Sequence, residues 1–507
     1  MPEDDSEMAG SLIGLDVGTS GARAVAIDLD GNVVAAASEE YPLSTPRPGW
    51  TEQDPERWWD ASQAVLSGVV SQLREPPLGL GLTGQMHGSV FLDKSDKVIR
   101  PALLWSDQRT ADQCRMITEK VGAKRLVAIT GNPAITGFQA PKILWLREEE
   151  PEAYARVRRV LLPKDYVRLR LTGEYATDVS DASGTLLLDL HARAWSDEIL
   201  DTLEIPRSWL PAVFESPAVS GTVSNAAATA TGLPAGLKVA VGAGDNAAAA
   251  VGNGIVREGL VSSSIGTSGV VFASSDKARI DPRGRLHAFC HAIPGGYHLM
   301  GVTLAAGGSL RWWRDANGSG LDYDALAELA AQAPPGAEGL VFLPYITGER
   351  TPHMDADARG AFFGLNVRHT LSHLTRAVME GVVYSLKDSV DLMAGMGMKV
   401  GEVRATGGGA RSPLWRQLQA DVFGLPVHRT RVDEGPAFGA ALLAGVAAGA
   451  YPDVPAASAL VQLDAEVNEP DPALTRLYSG YHKAYSDLYK ASAPVMHRLA
   501  ELGSTPP

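Results

Sequence analysis

Short β-prone runs separated by turn-forming residues open the chain. Ser11 to Asp16, Ala22 to Asp28 and Val33 to Ser38 alternate with Gly18-Thr19-Ser20-Gly21 and Asp30-Gly31-Asn32, and glycine at such positions supplies the backbone conformations that tight turns need. The pattern predicts a meander of three strands. The same order returns about half a chain later: Leu260 to Ile265, then Gly266-Thr267-Ser268-Gly269, then Val270 to Ala273. Self-similarity at this spacing predicts two like domains facing each other across a cleft. Elsewhere, Asp54 to Leu73 and Pro141 to Leu171 read as helices with intervening turns, and Leu78 to Leu82, Val157 to Leu162, Leu237 to Val241 and Val403 to Thr406 read as strands. Leu371, Leu374, Val378, Val382 and Leu386 recur at three and four, the spacing of one helix face. Gly439 to Tyr451, rich in Ala and Gly, predicts a tightly packed interior helix, because it is well short of the roughly 20 residues that cross a bilayer. Strands alternating with helices predict an α/β fold.

The chain has 507 residues, 45% of them hydrophobic and 21% charged, enough for two or three globular domains. A junction is expected near Gly252 to Glu258, dividing 11–254 from 255–490. A disordered tail is expected at 1–10, and a helical segment from Pro470 is expected to end in a second tail, 491–507. Forty-five basic against fifty-nine acidic residues leave a net charge of −14, which excludes a whole-chain electrostatic footprint for nucleic acid or an anionic membrane. An anionic ligand must then be met locally. Cys114 and Cys290 are too few and too far apart for a disulfide framework, and the acidic start lacks the basic and apolar stretches of a secretion signal. Both features point to the cytoplasm.

Two glycine strings imitate dinucleotide sites. Gly79-Leu80-Gly81-Leu82-Thr83-Gly84 has the G-x-G-x-x-G spacing, but its glycines lie inside an apolar run and no helix start follows. Gly242-Ala243-Gly244-Asp245-Asn246-Ala247 lies between a strand and an Ala-rich helix, yet the next carboxylate, Glu258, precedes the following strand instead of ending it. No G-x-x-x-x-G-K-[ST] and no G-x-S-x-G string occurs, which excludes a P-loop and a serine-hydrolase elbow. His369 with His373 and His287 with His291 lack the glutamate of a zinc helix and read as surface or packing residues. What remains is a set of glycine- and hydroxyl-rich turns at strand ends. Gly18 to Gly21 and Gly266 to Gly269 each offer N–H groups and hydroxyls to phosphate oxygens without lysines. Gly407-Gly408-Gly409 follows a strand and precedes a helix near Pro413, where close backbone approach suits a flat ring or a phosphate. A nucleotide fits all three. Asp16, beside the first turn, either caps it or reaches a Mg²⁺ that bridges phosphates. Asp245, with Asn246 beside it, is either a helix cap or a general base.

Taken in order, Asp16 to Gly21, Gly84-Gln85-Met86-His87-Gly88, Leu104-Trp105-Ser106-Asp107, Gly244-Asp245-Asn246, Gly266 to Gly269 and Gly407 to Gly409 resemble the FGGY carbohydrate kinases, from about Ser11 to about Ala450. The Met-His-Gly string is most similar to the members that act on xylulose. The resemblance implies an α/β architecture of two ribonuclease-H-like domains, as in the actin and sugar-kinase superfamily, flanking a catalytic cleft. Sugar would be held mainly by the first domain and ATP mainly by the second. It implies phosphorylation of D-xylulose at its terminal 5-hydroxyl, with ribulose, glycerol or gluconate as alternative acceptors and a non-catalytic ATP-binding relative as the remaining reading. Its small-molecule requirements would be ATP and Mg²⁺; its partners would be the sugar and ATP, with no nucleic acid, no membrane and a possible homodimer. Residue by residue, Asp245 would be the base, and Met86, His87, Trp105, Asp107 and Asn246 would join it in holding sugar. Thr19, Ser20 and Arg23 would approach phosphates from the first domain and Gly266 and Thr267 from the second. Gly307, Gly308, Gly408, Gly409 and Ser412 would surround the nucleotide, and Asp16 would reach the metal. One departure is Phe138-Gln139-Ala140-Pro141-Lys142, where Gln139 stands in place of the threonine common in the xylulose-acting members and is expected to alter the sugar edge of the cleft.

Overall fold

The computed structural model describes residues 10–432 and 434–504. Apart from Gly10, the tail expected at 1–10 lies outside the described residues, as do 505–507. The predicted meander forms: Leu12–Val17, Gly21–Ile27 and Val33–Glu40 pair antiparallel, with Val17 opposite Ala22, so that Gly18 to Gly21 closes a hairpin. On the other side of the first strand lies Gly79–Gly84 in parallel, then Lys238–Ala240 and the edge strand Val219–Thr222, while Ala243–Gly244 runs alongside Thr83 and Gly84. The second sheet repeats this plan. Gly259–Ile265 and Gly269–Ser275 form the hairpin around the second Gly-Thr-Ser-Gly, Tyr297–Thr303 and His287–Cys290 extend it antiparallel, and Val400–Thr406 and Val427–Arg429 add in parallel on the opposite side. Each tetrapeptide therefore ends the central strand of its own sheet.

Small residues decide how the first sheet is covered. Helix Gly435–Ala448, buried from Ala437 to Gly445, leaves the second half of the chain and lies across the first sheet. A Cβ on Gly14 would stand 1.9 Å from the Ala437 carbonyl oxygen, and one on Gly81 2.0 Å from that of Ala440. The Gly79–Gly84 string is thus a packing surface, as its apolar context predicts. The same helix meets Asp245–Gly252 through Gly439, whose Cβ would fall 1.9 Å from the Ala248 oxygen. A boundary at 254/255 falls between that helix and strand Gly259–Ile265, but Gly435–Ala448 packs back across it.

Local signals set the remaining elements. Asp54 caps Pro55–Val70 by accepting from Glu56 N at 3.0 Å. The expected helical stretch from Pro141 divides into Gln139–Glu149, Pro151–Arg156, strand Arg159–Leu161 and Pro163–Thr172, and Pro151 and Pro163 each open a helix, where a missing N–H costs nothing. Leu371–Gly395 carries the predicted stripe, buried at Val378, Val382 and Leu386, and begins with a capping box between Thr370 and His373. His287 Nδ1 lies 2.8 Å from Asn132 Oδ1 and His291 Nε2 lies 2.9 Å from the Ile255 oxygen, so both are packing residues. The tail expected from 491 is corrected: Pro472–Ser504 is one helix. Tyr478, Tyr485 and Met496 are buried, and their spacing at near-whole turns brings them to one face. No helix among the described residues is long and apolar enough to cross a membrane.

Candidate active site

Neighbouring strand ends bring Asp16 and Asp245 together. Asp16 and Ala243 both pair with Thr83, from opposite sides of Gly79–Gly84, so the helix that starts at Asp245 begins level with Asp16. Asp245 Oδ1 accepts from Asn246 N at 2.7 Å and from Asn246 Nδ2 at 2.8 Å. Burial pushes the Asp245 carboxyl up to about 6, against the pull of those donors. Burial, and then the charge of Asp245, push Asp16 up to about 7 while Arg23 pulls it down. Asp16 Oδ1 is buried with no hydrogen-bond partner. Such an oxygen beside a second carboxylate is costly unless a cation joins it. The arrangement fits Mg²⁺, which takes one or two protein carboxylates and completes its shell with water and phosphate oxygens. Among the described residues no group of three or more His, Cys, Asp or Glu makes an all-protein metal cage.

The turn after Gly79–Gly84 carries the expected sugar contacts. Met86 fills the space between two glycines: a Cβ on Gly184 would lie 3.0 Å from its Cε and one on Gly244 2.9 Å from its Cγ. His87 adopts a left-handed backbone, φ +69, its Nδ1 lies 2.6 Å from the Gly184 oxygen, and burial pushes it down to about 3, so the ring is neutral near pH 7. Trp105 is 44% exposed and donates from Nε1 to Thr19 Oγ1 at 2.9 Å, which joins the expected sugar wall to the first phosphate turn. Ser20 lies exposed in that turn.

Two expectations need correction. Asp107 is 0% exposed, and its carboxylate accepts from Thr51 N at 2.7 Å, Arg109 N at 3.0 Å, Arg109 Nε at 2.9 Å and Arg109 Nη2 at 2.7 Å. It has no face left for a sugar and instead holds the turn that carries Trp105. Gln139 is likewise buried, with its amide on the oxygens of Gly88 and Leu161, so it supports the Met86-His87 turn from behind. Arg23 is ion-paired with Glu434, the residue before helix Gly435–Ala448, while its side chain stays 41% exposed. Half-buried Asn246 donates from Nδ2 to Asp245 Oδ1.

Six of the residues expected around the nucleotide face one cavity, and Gly308 is not among its lining. Gly266, Thr267, Gly307, Gly408, Gly409 and Ser412 share the wall of a cavity of about 560 Å³, with Leu310, Met379 and Trp415 as apolar lining. Gly307 N donates to Gly266 O at 2.8 Å and Gly308 N to Thr267 O at 2.9 Å, so the second hairpin turn rests on the start of helix Gly307–Asn317. A Cβ on Gly307 would stand 2.5 Å from Gly266 O, which explains the glycine. Ser412 caps helix Pro413–Phe423 by accepting from Trp415 N at 3.4 Å. Thr19, Ser20 and Arg23 do not line this cavity.

Sequence reasoning missed the supports. Gln53 Nε2 donates to Thr19 O at 2.7 Å, Tyr41 OH to Gly18 O at 2.6 Å and Gln85 Nε2 to Gln53 Oε1 at 3.0 Å, and these bonds hold the first hairpin turn. Behind Gly84 and Gly244 lies a buried ionic group in which Lys164 Nζ approaches Asp165 at 2.8 Å, Asp178 at 2.9 Å and Asp181 at 3.3 Å. Gly244 N donates to Ser180 Oγ at 3.1 Å, and Ser180 N donates to Asp178 at 2.8 Å. For Lys164 and Asp165 the signal was charged residues set among apolar ones from Pro163 to Thr172; Asp178 and Asp181 lie beyond that stretch.

Two like sheets, each with a glycine-rich hairpin turn at its central strand, two neighbouring aspartates and a separate cavity lined by the second turn are the plan of a carbohydrate kinase, and the family comparison agrees. The chain belongs to the FGGY family of carbohydrate kinases: residues 11–252 match the N-terminal domain and 261–448 the C-terminal domain. It is 43% identical to the xylulose kinase of Escherichia coli (strain K12), over 96% of this chain and 99% of that protein. The crystal structure of xylulose kinase from Rhodospirillum rubrum is similar with a TM-score of 0.91 at 34% identity, covering 96% of this chain and 100% of that one. The gluconate kinase of Lactobacillus acidophilus is similar with a TM-score of 0.92 at 28% identity, over 97% and 100%.

Proposed function

We propose that this kinase transfers the γ-phosphoryl group of ATP to the terminal 5-hydroxyl of D-xylulose, giving D-xylulose 5-phosphate and ADP. The observation that carries the reading is Asp245, a half-buried carboxylate at the helix start that follows Gly244, which packs on Met86, and one strand away from Asp16. With its carboxyl near 6, Asp245 is ionised at neutral pH and takes the hydroxyl proton as the O–P bond forms. Asn246 orients the accepting carboxylate. Neutral His87 presents a ring nitrogen to sugar hydroxyls without adding charge. The backbone N–H groups of the two hairpin turns are suited to phosphate oxygens, and Leu310, Met379 and Trp415 give the second-half cavity apolar walls for a nucleobase. Asp16 would hold Mg²⁺ through its unpartnered oxygen; when bound, that ion neutralises phosphate charge. In this reading the first half of the chain binds sugar and the second half nucleotide. A cytoplasmic site is supported by Cys114 and Cys290, both free and buried, their thiols pushed up by burial to about 11 and about 12.

The test is sugar-dependent ADP release, with ATP and Mg²⁺ saturating, across D-xylulose, D-ribulose, gluconate and glycerol. The highest kcat/KM is expected for D-xylulose; a preference for another sugar, or ADP release that ignores sugar, would overturn the assignment. His87→Ala is expected to raise the sugar KM about tenfold, the size of one lost hydrogen bond, while the KM for ATP stays within about twofold. Steady-state kinetics with each substrate varied in turn checks this.

A further inference from the structure

Three side chains at the start of helix Gln139–Glu149 grip the turn that carries Met86 and His87. The Phe138 ring meets the His87 ring edge-on, with centroids 4.8 Å apart. Gln139 Nε2 donates to Gly88 O at 3.0 Å and to Leu161 O at 3.3 Å. Lys142 Nζ donates to His87 O at 3.2 Å, to Phe138 O at 3.0 Å and to Gly137 O. The Lys142 side chain is 0% exposed, and the ammonium matches its three protons to three main-chain oxygens. What it holds is strained: His87 has φ +69, and Gly88 N folds back onto Met86 O at 2.9 Å. A non-glycine residue stays in that region only when its surroundings over-determine it.

We propose that Lys142, with Gln139 beside it, is a positioning residue for sugar binding, whose ammonium locks the left-handed His87 peptide so that Met86 and His87 face the acceptor. This rests on the reading of that turn as the sugar site. Lys142 touches no reacting atom; it acts through the main chain. The protonation of Lys142 then matters. Burial pushes it down to about 7, with Asp107 and Cys114 pulling it up and Arg109 pushing it down. The titratable and charged groups facing it are Asp107 and Arg109 from the turn after Trp105, Cys114 from helix Ala111–Val121, and His87 from the sugar turn itself. Asp107 and Arg109 are paired with each other, and Cys114 and His87 are neutral near pH 7. Above about pH 7 a deprotonated amine has two protons for three oxygens and turns its lone pair on one of them. The grip weakens as pH rises.

The experiment is the sugar Kd by calorimetry, without nucleotide, at pH values from about 6 to about 9, on the full chain and on Lys142→Met and Lys142→Arg. The parent is expected to lose about tenfold in sugar affinity across that range. Lys142→Met is expected to bind at least about tenfold more weakly than the parent at pH 6, with no further loss as pH rises, and the KM for ATP should stay within about twofold in every form. Lys142→Arg, which keeps its charge throughout, should show a flat profile. A pH-independent Kd in the parent would overturn the proposal, and so would a Lys142→Met protein with the parent's affinity and profile. Should Lys142→Met not fold, the parent and Lys142→Arg profiles decide. The sugar used is whichever one the panel shows to be phosphorylated: a negative result with that sugar rejects the role of Lys142 alone, whereas no turnover with any sugar rejects the kinase reading.

Discussion

Asp245→Asn is expected to lower kcat by about 10²- to 10⁴-fold, the usual worth of a positioned general base, while the sugar KM changes by no more than about threefold. The substituted amide keeps the size and polarity of the carboxyl but has no basic oxygen for the hydroxyl proton. Its place at the start of helix Asp245–Gly252 and its packing beside Gly244 and Met86 are unchanged, so the folded state should survive. One loss accompanies the substitution, because Asn246 N and Nδ2 now donate to a weaker acceptor. That loss is worth about 1 kcal/mol and is too small to account for the rate change. Single-turnover rates with saturating sugar and ATP, together with the thermal midpoint, separate the two effects. Turnover within about threefold of the parent would remove Asp245 from the chemical step.

Gly81→Val is expected to leave little folded protein. A single Cβ there would already stand 2.0 Å from the Ala440 oxygen, and the atoms it meets are helix backbone, which does not swing aside as a side chain would. Overpacking ordinarily costs about 1–3 kcal/mol and sometimes more; here the helix must lift from the first sheet, and a loss beyond about 3 kcal/mol would remove a large share of a typical margin of about 5–15 kcal/mol. Gly480→Ala is the matched control with the opposite sign. Gly480 lies within helix Pro472–Ser504 with nothing within 4 Å of an added Cβ, so alanine should stabilise by about 0.5–1 kcal/mol through helix propensity alone. Urea titration of the three proteins reads both. Equal stability of Gly81→Val and the parent would mean that the helix does not rest on the sheet.

Much of the candidate site was legible because it lies in short contiguous strings whose chemistry is local. Asp16, the Gly-Thr-Ser-Gly turns, Met86-His87 and Asp245-Asn246 each combine a strand end with a turn or helix start, and both the turn preference and the functional groups are properties of the same few residues. The supports were not legible. Gln53 and Gln85 act on a turn to which they are joined only by the fold, and Lys142 serves a peptide from a different element. Nothing in their neighbourhood along the chain marks their partners.

The sequence by itself determined the two hairpins, the amphipathic helix Leu371–Gly395 and the repeated plan of the two sheets, since glycine turns, capping residues and apolar period act within a few residues. Only the tertiary structure decided the direction in which polar side chains point. Asp107 turns inward to Arg109 and Gln139 turns behind the Met86-His87 turn to Gly88 O, because a buried donor or acceptor goes to whichever partner the folded chain places within about 3 Å; half-exposed Arg23 pairs with Glu434. The tertiary structure also decided that helix Gly435–Ala448 covers the first sheet and not the second. Its Ala and Gly composition marks it as closely packed, but the partner is set by Gly14 and Gly81, which open space for a helix backbone from the far end of the chain.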